Sequence, residues 1–190
     1  MATVSRDSHW TTLRAHFDLY LKNDHAATQT LFEGLHQALY PFFRVRTRSE
    51  TESEDLTQAA LLKIHFARDR FNPELSLKTW VFTIAGRCLI DHWRGAGSEN
   101  NVIDKYADQE IATEMPTLEP DPSLKAEWGH DLTLALDQLK PIDRTIVYLY
   151  VTEGLSMSEI ASSVNMTESA VKVRAHRSYA QMRVFLKENP

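Results

Sequence analysis

Between Gly97 and Glu127 the stretch "GSENNVIDKYADQEIATEMPTLEPDPSLKAE" holds eight acidic residues against Lys105 and Lys125, with three prolines among them. A segment carrying a net charge of −6 is a poor candidate for a packed core, because buried carboxylates without partners cost more than its scattered apolar side chains recover. Its composition is that of a linker. Divided there, a chain of 190 residues leaves two pieces, each the size of a small domain. The expected organisation is an N-terminal extension over 1–23, a first lobe over 24–96, the acidic linker over 97–127 and a second lobe over 128–190.

Both lobes read as helical, and strand alternation is nearly absent. Leu31, Leu35, Ala38, Leu39 and Phe42 recur at the three-and-four spacing of an amphipathic helix. Pro41 is expected to kink or end that helix, since it lacks an amide donor and crowds the preceding turn. "RVRTRSETES" then reads as a polar turn, and a second helix starts near Glu54 with Leu56, Ala60, Ile64 and Ala67 on one face. Asn72-Pro73 in "RFNPELSLKTW" signals a loop. A third helix follows from about Leu77, with Val81, Ile84, Ala85, Cys88, Leu89 and His92 along one stripe, and "GAGSEN" ends it. Upstream, Leu13, Phe17, Tyr20 and Leu21 predict one more amphipathic helix, packed on the first lobe or receiving a regulator. Beyond the linker, helical periodicity resumes through Leu132, Leu136 and Leu139, then in "RTIVYLYVTEGL". The fold class is all-α: two small helical domains joined by a flexible acidic linker.

The sequence excludes several kinds of chemistry. No apolar run approaches the roughly 20 residues that span a bilayer, and the N-terminus has no apolar secretory region, so a cytoplasmic location is expected. The single cysteine, Cys88, cannot form an internal disulfide and reads as a small buried residue. Eight histidines show no paired metal-ligand spacing, and there is no CxxC, HExxH or glycine-rich phosphate loop. Nothing supplies a nucleophile, so no enzyme, catalytic residue, metal, cofactor or small-molecule substrate is expected.

Charge is divided unevenly. The whole chain carries −5, yet residues 63–94 hold six bases against three acids, and residues 167–187 hold five bases against Glu168. Local patches therefore say more about partners than the total does. The second patch lies within "LSMSEIASSVNMTESAVKVRAHRSYAQMR". Ser156 or Ser158 can cap a first helix that turns Ile160, Ala161 and Val164 inward. Asn165 tolerates the left-handed backbone of a sharp corner, Met166 plugs it, and Thr167 caps a second helix. On that helix Val171, Ala175, Ser178 and Met182 share one stripe, while small Ala161 lets the two helices cross closely. This is a helix-turn-helix pattern.

The opposite stripe carries Ser169, Lys172, Val173, His176 and Arg177. Cations there can neutralise phosphates, and arginine can pair two-pronged with guanine. The plainer reading, cations complementing a helix dipole, covers Arg183 and Lys187 but not the bases at 172, 174 and 177. Arg174 reads as a hybrid, partly folded onto the first helix of the pair and partly reaching a phosphate.

With both lobes in view, the chain resembles the extracytoplasmic-function (ECF) sigma factors of bacterial RNA polymerase. "ESEDLTQAALLKIHFARDRFNPELSLKTWVFTIAGRCLIDHWR" is similar to the family's region two, with its D-L-x-Q helix, arg-phe loop, and I-A and D-x-x-R motifs. "LDQLKPIDRTIVYLYVTEGLSMSEIASSVNMTESAVKVRAHRSYAQMR" is similar to region four, with its L-x-x-L-P-x-x-x-R, E-G-x-S-x-x-E-I-A and V-K-x-R motifs. The match covers about 27–95 and 130–186.

The resemblance implies that the chain binds core RNA polymerase through its clamp helices and flap, reads the −10 and −35 promoter elements, and helps to melt the former. It implies that Asp55, Leu56 and Gln58 meet the polymerase; from the residues alone these also read as a capped, solvated helix start. It implies a loop from Phe71 to Lys78 that captures a flipped base of the melted non-template strand, with Asn72, Ser76 and Lys78 as its polar groups and Arg87 and Arg94 as cations beside the separating strands. Trp80 matches the family's tryptophan, although its phase with Ile84 favours core packing. Ser169, Lys172, Val173, Arg174, His176 and Arg177 match the positions that meet duplex DNA at the −35 element. An anti-sigma factor, often membrane-bound in this family, is the implied inhibitor. Three departures stand out: Arg87 replaces a usual asparagine, Ala59 replaces a usual acid, and "GAGSEN" replaces a basic run. The linker reads either as a mimic of the template strand or as a solvated spacer. The other functional reading is a stand-alone helix-turn-helix regulator that binds an operator as a dimer.

Overall fold

A computed structural model describes residues 6–47, 49–95 and 130–188, with no strand among them. They fall into two units, divided near His92. The expected linker lies outside the described residues.

In the first unit α1 (Arg6–Tyr20) is followed by a corner at Asn23, whose φ of 62° is left-handed. Asp24 Oδ1 then accepts the Ala27 amide at 3.0 Å and starts α2 (His25–Thr47). The N-terminal helix is part of the core: Leu13 and Phe17 are buried with Leu31, Leu35 and Leu39 of α2. Gly34 lets the two helices close up, since a Cβ on it would stand 2.5 Å from Leu13 Cδ2. Leu21, expected on the same face, lies past the end of α1 and is exposed.

Pro41 does not end α2, and "RVRT" is helix rather than turn. An interior proline costs about 3 kcal/mol, but Phe42 and Phe43 immediately after it are fully buried, each worth roughly 1.5–3 kcal/mol. Arg46 reinforces the end by donating from Nη1 to the Phe42 carbonyl, with its guanidinium 3.8 Å above the Phe42 ring. The next helix, α3 (Glu50–Ala67), begins earlier than its apolar pattern indicates. Its start is set by Ser49, whose hydroxyl accepts the Glu52 amide at 3.3 Å, and by Glu50 and Glu52 facing the positive end of the helix dipole. A 3-10 turn (Arg68–Arg70) and the loop at Asn72-Pro73 lead to α4 (Leu77–Gly95), which buries Val81, Phe82, Ala85, Cys88 and Leu89.

The second unit contains α5 (His130–Asp137), α6 (Pro141–Val151), α7 (Met157–Val164) and α8 (Glu168–Glu188). Pro141 occupies the first turn of α6, where its missing donor is harmless. Arg144, only 4% exposed, joins the first two helices. Its guanidinium donates to the Leu136, Asp137 and Leu139 carbonyls at 2.9, 3.2 and 3.3 Å and lies 3.5 Å from the Asp137 carboxylate. Those carbonyls lie at and just past the end of α5, where intrahelical donors run out. The arginine that closes "LDQLKPIDR" is thus architectural. Ala135, Leu139, Val147 and Met182 form a core that Tyr179, Phe185 and Leu186 flank.

Candidate nucleic-acid interface

The corner between α7 and α8 follows from its local sequence. Ser156 and Glu159 form a reciprocal capping box: the Ser156 amide donates to Glu159 Oε2 at 2.8 Å, and the Glu159 amide donates to Ser156 Oγ at 3.3 Å. Asn165 sits at φ 55°, ψ 51°, the left-handed region that its short polar side chain tolerates. The Met166 amide donates back to the Ala161 carbonyl at 3.0 Å. Thr167 Oγ1 accepts the Ala170 amide at 3.3 Å and opens α8. Val171, Ala175, Ser178 and Met182 are all buried, as are Ile160, Ala161 and Val164 of α7.

That burial fixes which face of α8 is free. Ser169, Lys172, His176 and Arg177 are exposed, and Val173 is half-buried between them. Lys172 pairs with Glu168 one turn away at 2.6 Å, but both side chains are about half exposed, and such a pair is worth at most about 1 kcal/mol. A phosphate can displace it.

Arg174 requires a correction. It was expected to divide itself between the first helix of the motif and a phosphate. Instead, Nη1 bonds Asp143 Oδ1 of α6 at 2.6 Å, with the two side chains only 13% and 17% exposed. A guanidinium satisfied by a shielded carboxylate would leave that carboxylate without a partner if it turned outward. Arg174 is a brace between α6 and α8.

In the first unit the loop at 71–76 is anchored at its start. Phe71 is buried, 5.1 Å from the rings of both Phe17 and Trp80, and Trp80 lies 5.7 Å from Phe17. Trp80 is half-buried in this trio and serves as the floor of the loop, the packing role its helical phase indicates. Asn72 Oδ1 accepts the Glu74 amide at 3.0 Å, and Ser76 Oγ accepts the Thr79 amide at 3.4 Å as α4 begins. Both residues are exposed, and Lys78 is half-buried.

Not all expected cations converge here. Lys78 and Arg87 are nine residues apart on α4, which turns them about half a revolution from each other. Arg87 is exposed and shares a stripe with Trp80, seven residues earlier. Arg94 occupies the same phase, but its side chain lies outside the described residues.

The D-L-x-Q segment also divides. Asp55 and Gln58 are exposed, and Gln58 Nε2 donates to Glu54 Oε1 at 2.9 Å. Leu56, expected among the polymerase contacts, is only 8% exposed and belongs to the core, because its phase matches Ala60 and Ile64. Two residues on the Asp55 stripe were missed: Leu62 and Phe66, 57% and 76% exposed. They extend the exposed Asp55–Gln58 stripe with two large apolar side chains one turn apart. Helical phase was the signal, since positions 55, 58, 62 and 66 repeat at three-and-four spacing.

Cys88 is buried, and desolvation raises its thiol pKa despite the nearby Lys63 ammonium. That is the inert state expected of it. No described helix is long and apolar enough to cross a membrane.

A helical bundle followed by a helix-turn-helix unit with one polar, basic face defines a class, the two-part helical DNA-binding proteins. Residues 31–99 match the family model of Sigma-70 region 2, and residues 130–182 match that of Sigma-70, region 4. RNA polymerase sigma factor CarQ of Myxococcus xanthus is 33% identical over 147 residues, covering 77% of this chain and 82% of its own. The ECF RNA polymerase sigma factor SigF of Caulobacter vibrioides is 30% identical over 142 residues, 72% of each chain. CnrH, solved in complex with the cytosolic domain of CnrY, has a TM-score of 0.62 at 18% identity, over 94% of this chain and 99% of that one. The sigma factor RpoE from Bartonella quintana, crystallised with the anti-sigma factor NepR, has a TM-score of 0.60 at 24% identity, over 86% and 98%. The chain belongs to the ECF sigma-factor family.

Proposed function

We propose that this chain joins core RNA polymerase, recognises a promoter through two separate elements and supports opening of the downstream one, with no chemical step of its own. The observation that carries this reading is the recognition helix α8: one stripe buried, the opposite stripe offering Ser169, Lys172, His176 and Arg177 to solvent. Lysine and arginine on that face suit phosphates and guanine edges in a major groove. Asn72, Ser76 and Lys78 would serve the melted non-template strand, with Arg87 and Arg94 along α4. Flipping a base costs a few kcal/mol, which polar groups on an exposed loop can offset.

Asp55 and Gln58, extended by Leu62 and Phe66, would form the docking stripe for polymerase. An aromatic side chain so exposed costs little to display and contributes strongly once a partner covers it. An anti-sigma protein would act by covering one of these faces, in keeping with the neighbour RpoE, crystallised with the anti-sigma factor NepR.

The test is transcription in vitro with core polymerase and a library of genomic fragments. Start sites that share two spaced sequence elements, absent without this chain, support the reading. Duplex binding by the chain alone at two-fold symmetric sites, with no dependence on polymerase, would overturn it in favour of a stand-alone regulator.

A further inference from the structure

The loop at 71–76 has a tie from a helix outside the matched region-2 segment. Arg14, on α1, extends its guanidinium over the loop: Nη1 donates to the Pro73 and Leu75 carbonyls at 3.3 and 3.4 Å, and Nη2 donates to Pro73 again at 3.3 Å. Nε is held by Asp18 Oδ1 one turn along at 3.0 Å, and the guanidinium lies 4.9 Å from the centre of the Phe71 ring. Inside the loop, by contrast, two bonds close on themselves, from the Glu74 amide to Asn72 Oδ1 and from the Leu75 amide to the Asn72 carbonyl, both at 3.0 Å.

Every side chain from Asn72 to Ser76 is exposed, so packing alone does not set the loop's shape. A peptide carbonyl that loses a charged donor returns to water: the Leu75–Ser76 peptide unit then loses its tie to α1, and the Pro73–Glu74 unit is left with only its local bond to Asn72 Oδ1. Only arginine has the planar fork to hold two carbonyls and a carboxylate while resting on an aromatic face; lysine brings the charge without the fork.

We propose that Arg14 is a positioning residue for strand capture, one that fixes the Phe71–Ser76 backbone before DNA arrives so that Asn72 and Ser76 meet the flipped base in place. This inference rests on the reading of that loop as the element that takes the non-template strand. A pre-shaped loop pays its ordering entropy on folding rather than on binding, which strengthens capture without any contact from Arg14 to DNA.

The experiment uses full-length chain assembled with core polymerase and a single-stranded non-template oligonucleotide bearing the downstream element of a mapped promoter. Arg14→Ala is expected to weaken oligonucleotide capture about tenfold and to speed hydrogen exchange at the Glu74, Leu75 and Ser76 amides. Affinity for core polymerase and for an upstream-element duplex should stay as in the wild type, which a general folding defect would not allow. Arg14→Lys should remain near the alanine value. Should Arg14→Ala lower the melting temperature, Asp18→Ala removes the Nε anchor more gently and should cost about threefold. Capture within twofold of wild type and unchanged loop exchange would overturn the proposal, as would full recovery by lysine. Asn72→Ala, run in parallel, separates the two layers. If it weakens capture while Arg14→Ala does not, the positioning role alone fails; if it is silent, the reading of the loop fails and takes the proposal with it.

Discussion

The two units, in the function proposed for them, offer polar groups to a nucleic acid by different means. In the second, the displayed residues ride on α8, and the geometry comes from neighbours in sequence: a capping box at Ser156 and Glu159, a left-handed Asn165, a cap at Thr167. In the first, the displayed groups sit on a connection whose shape depends on distant residues, with Phe71 held by Phe17 and Trp80. A helix fixes its own side-chain directions, whereas a loop borrows them. A rigid reader suits a duplex already formed; a braced loop suits a strand that must first leave its stack.

The sharpest way to break this comparison is to remove the loop's support. Phe17→Ala, at a fully buried ring, should cost about 3–5 kcal/mol in denaturant unfolding and impair the downstream element while sparing upstream binding. An equal loss at both elements would show that the units are not separable. In the second unit, Arg144→Met removes the charged donor to the Leu136, Asp137 and Leu139 carbonyls and should cost about 3 kcal/mol, read as a lowered denaturant midpoint for that unit.

Next come two arginines three residues apart. Arg177→Ala should cost roughly 1–3 kcal/mol of promoter binding and relax discrimination at one base, with unfolding unchanged. Arg174→Ala should do the reverse, lowering stability by about 2 kcal/mol through the orphaned Asp143 and leaving base preference intact. Competition binding against a panel of single-base variants separates them; a shared phenotype would end the distinction between brace and reader.

Phe66→Ser should weaken co-purification with core polymerase by about 1–2 kcal/mol without destabilising the chain, because the ring is already in water. The smallest effect belongs to Lys172→Gln, under about 1 kcal/mol at any sequence, with the salt dependence of binding shallower by about one counterion.

This contrast also explains what the sequence could reveal. The helix-turn-helix was legible down to individual residues because its determinants are local: a 3.6 period, a cap and one residue suited to a positive φ. Val171, Ala175, Ser178 and Met182 are buried as their spacing indicates. Errors arose where a distant partner overrode a local rule. Pro41 reads as a kink or a stop, and burial of Phe42 and Phe43 carries the helix onward past it. Leu56 sits inside a recognition motif but faces Ala60 and Ile64. Arg174 lies among cations, and only the fold reveals Asp143, thirty-one positions upstream, as its partner. Leu62 and Phe66 look like ordinary core letters until their phase is compared with Asp55.

Arg144 also bears on the length of chain ahead of Pro141. The eight residues of α5 are too few for a helix to persist unaided, so their order depends on tertiary contacts: Ala135 in the core and the Arg144 guanidinium docking the helix end to α6. As helix they span about 12 Å; drawn out, roughly 27 Å. Loss of Arg144 weakens that docking; each time α5 comes free it adds some 15 Å of chain ahead of Pro141, and a promoter series with altered spacing between its elements should show a broader optimum in Arg144→Met. An unchanged optimum would mean that the ruler lies elsewhere.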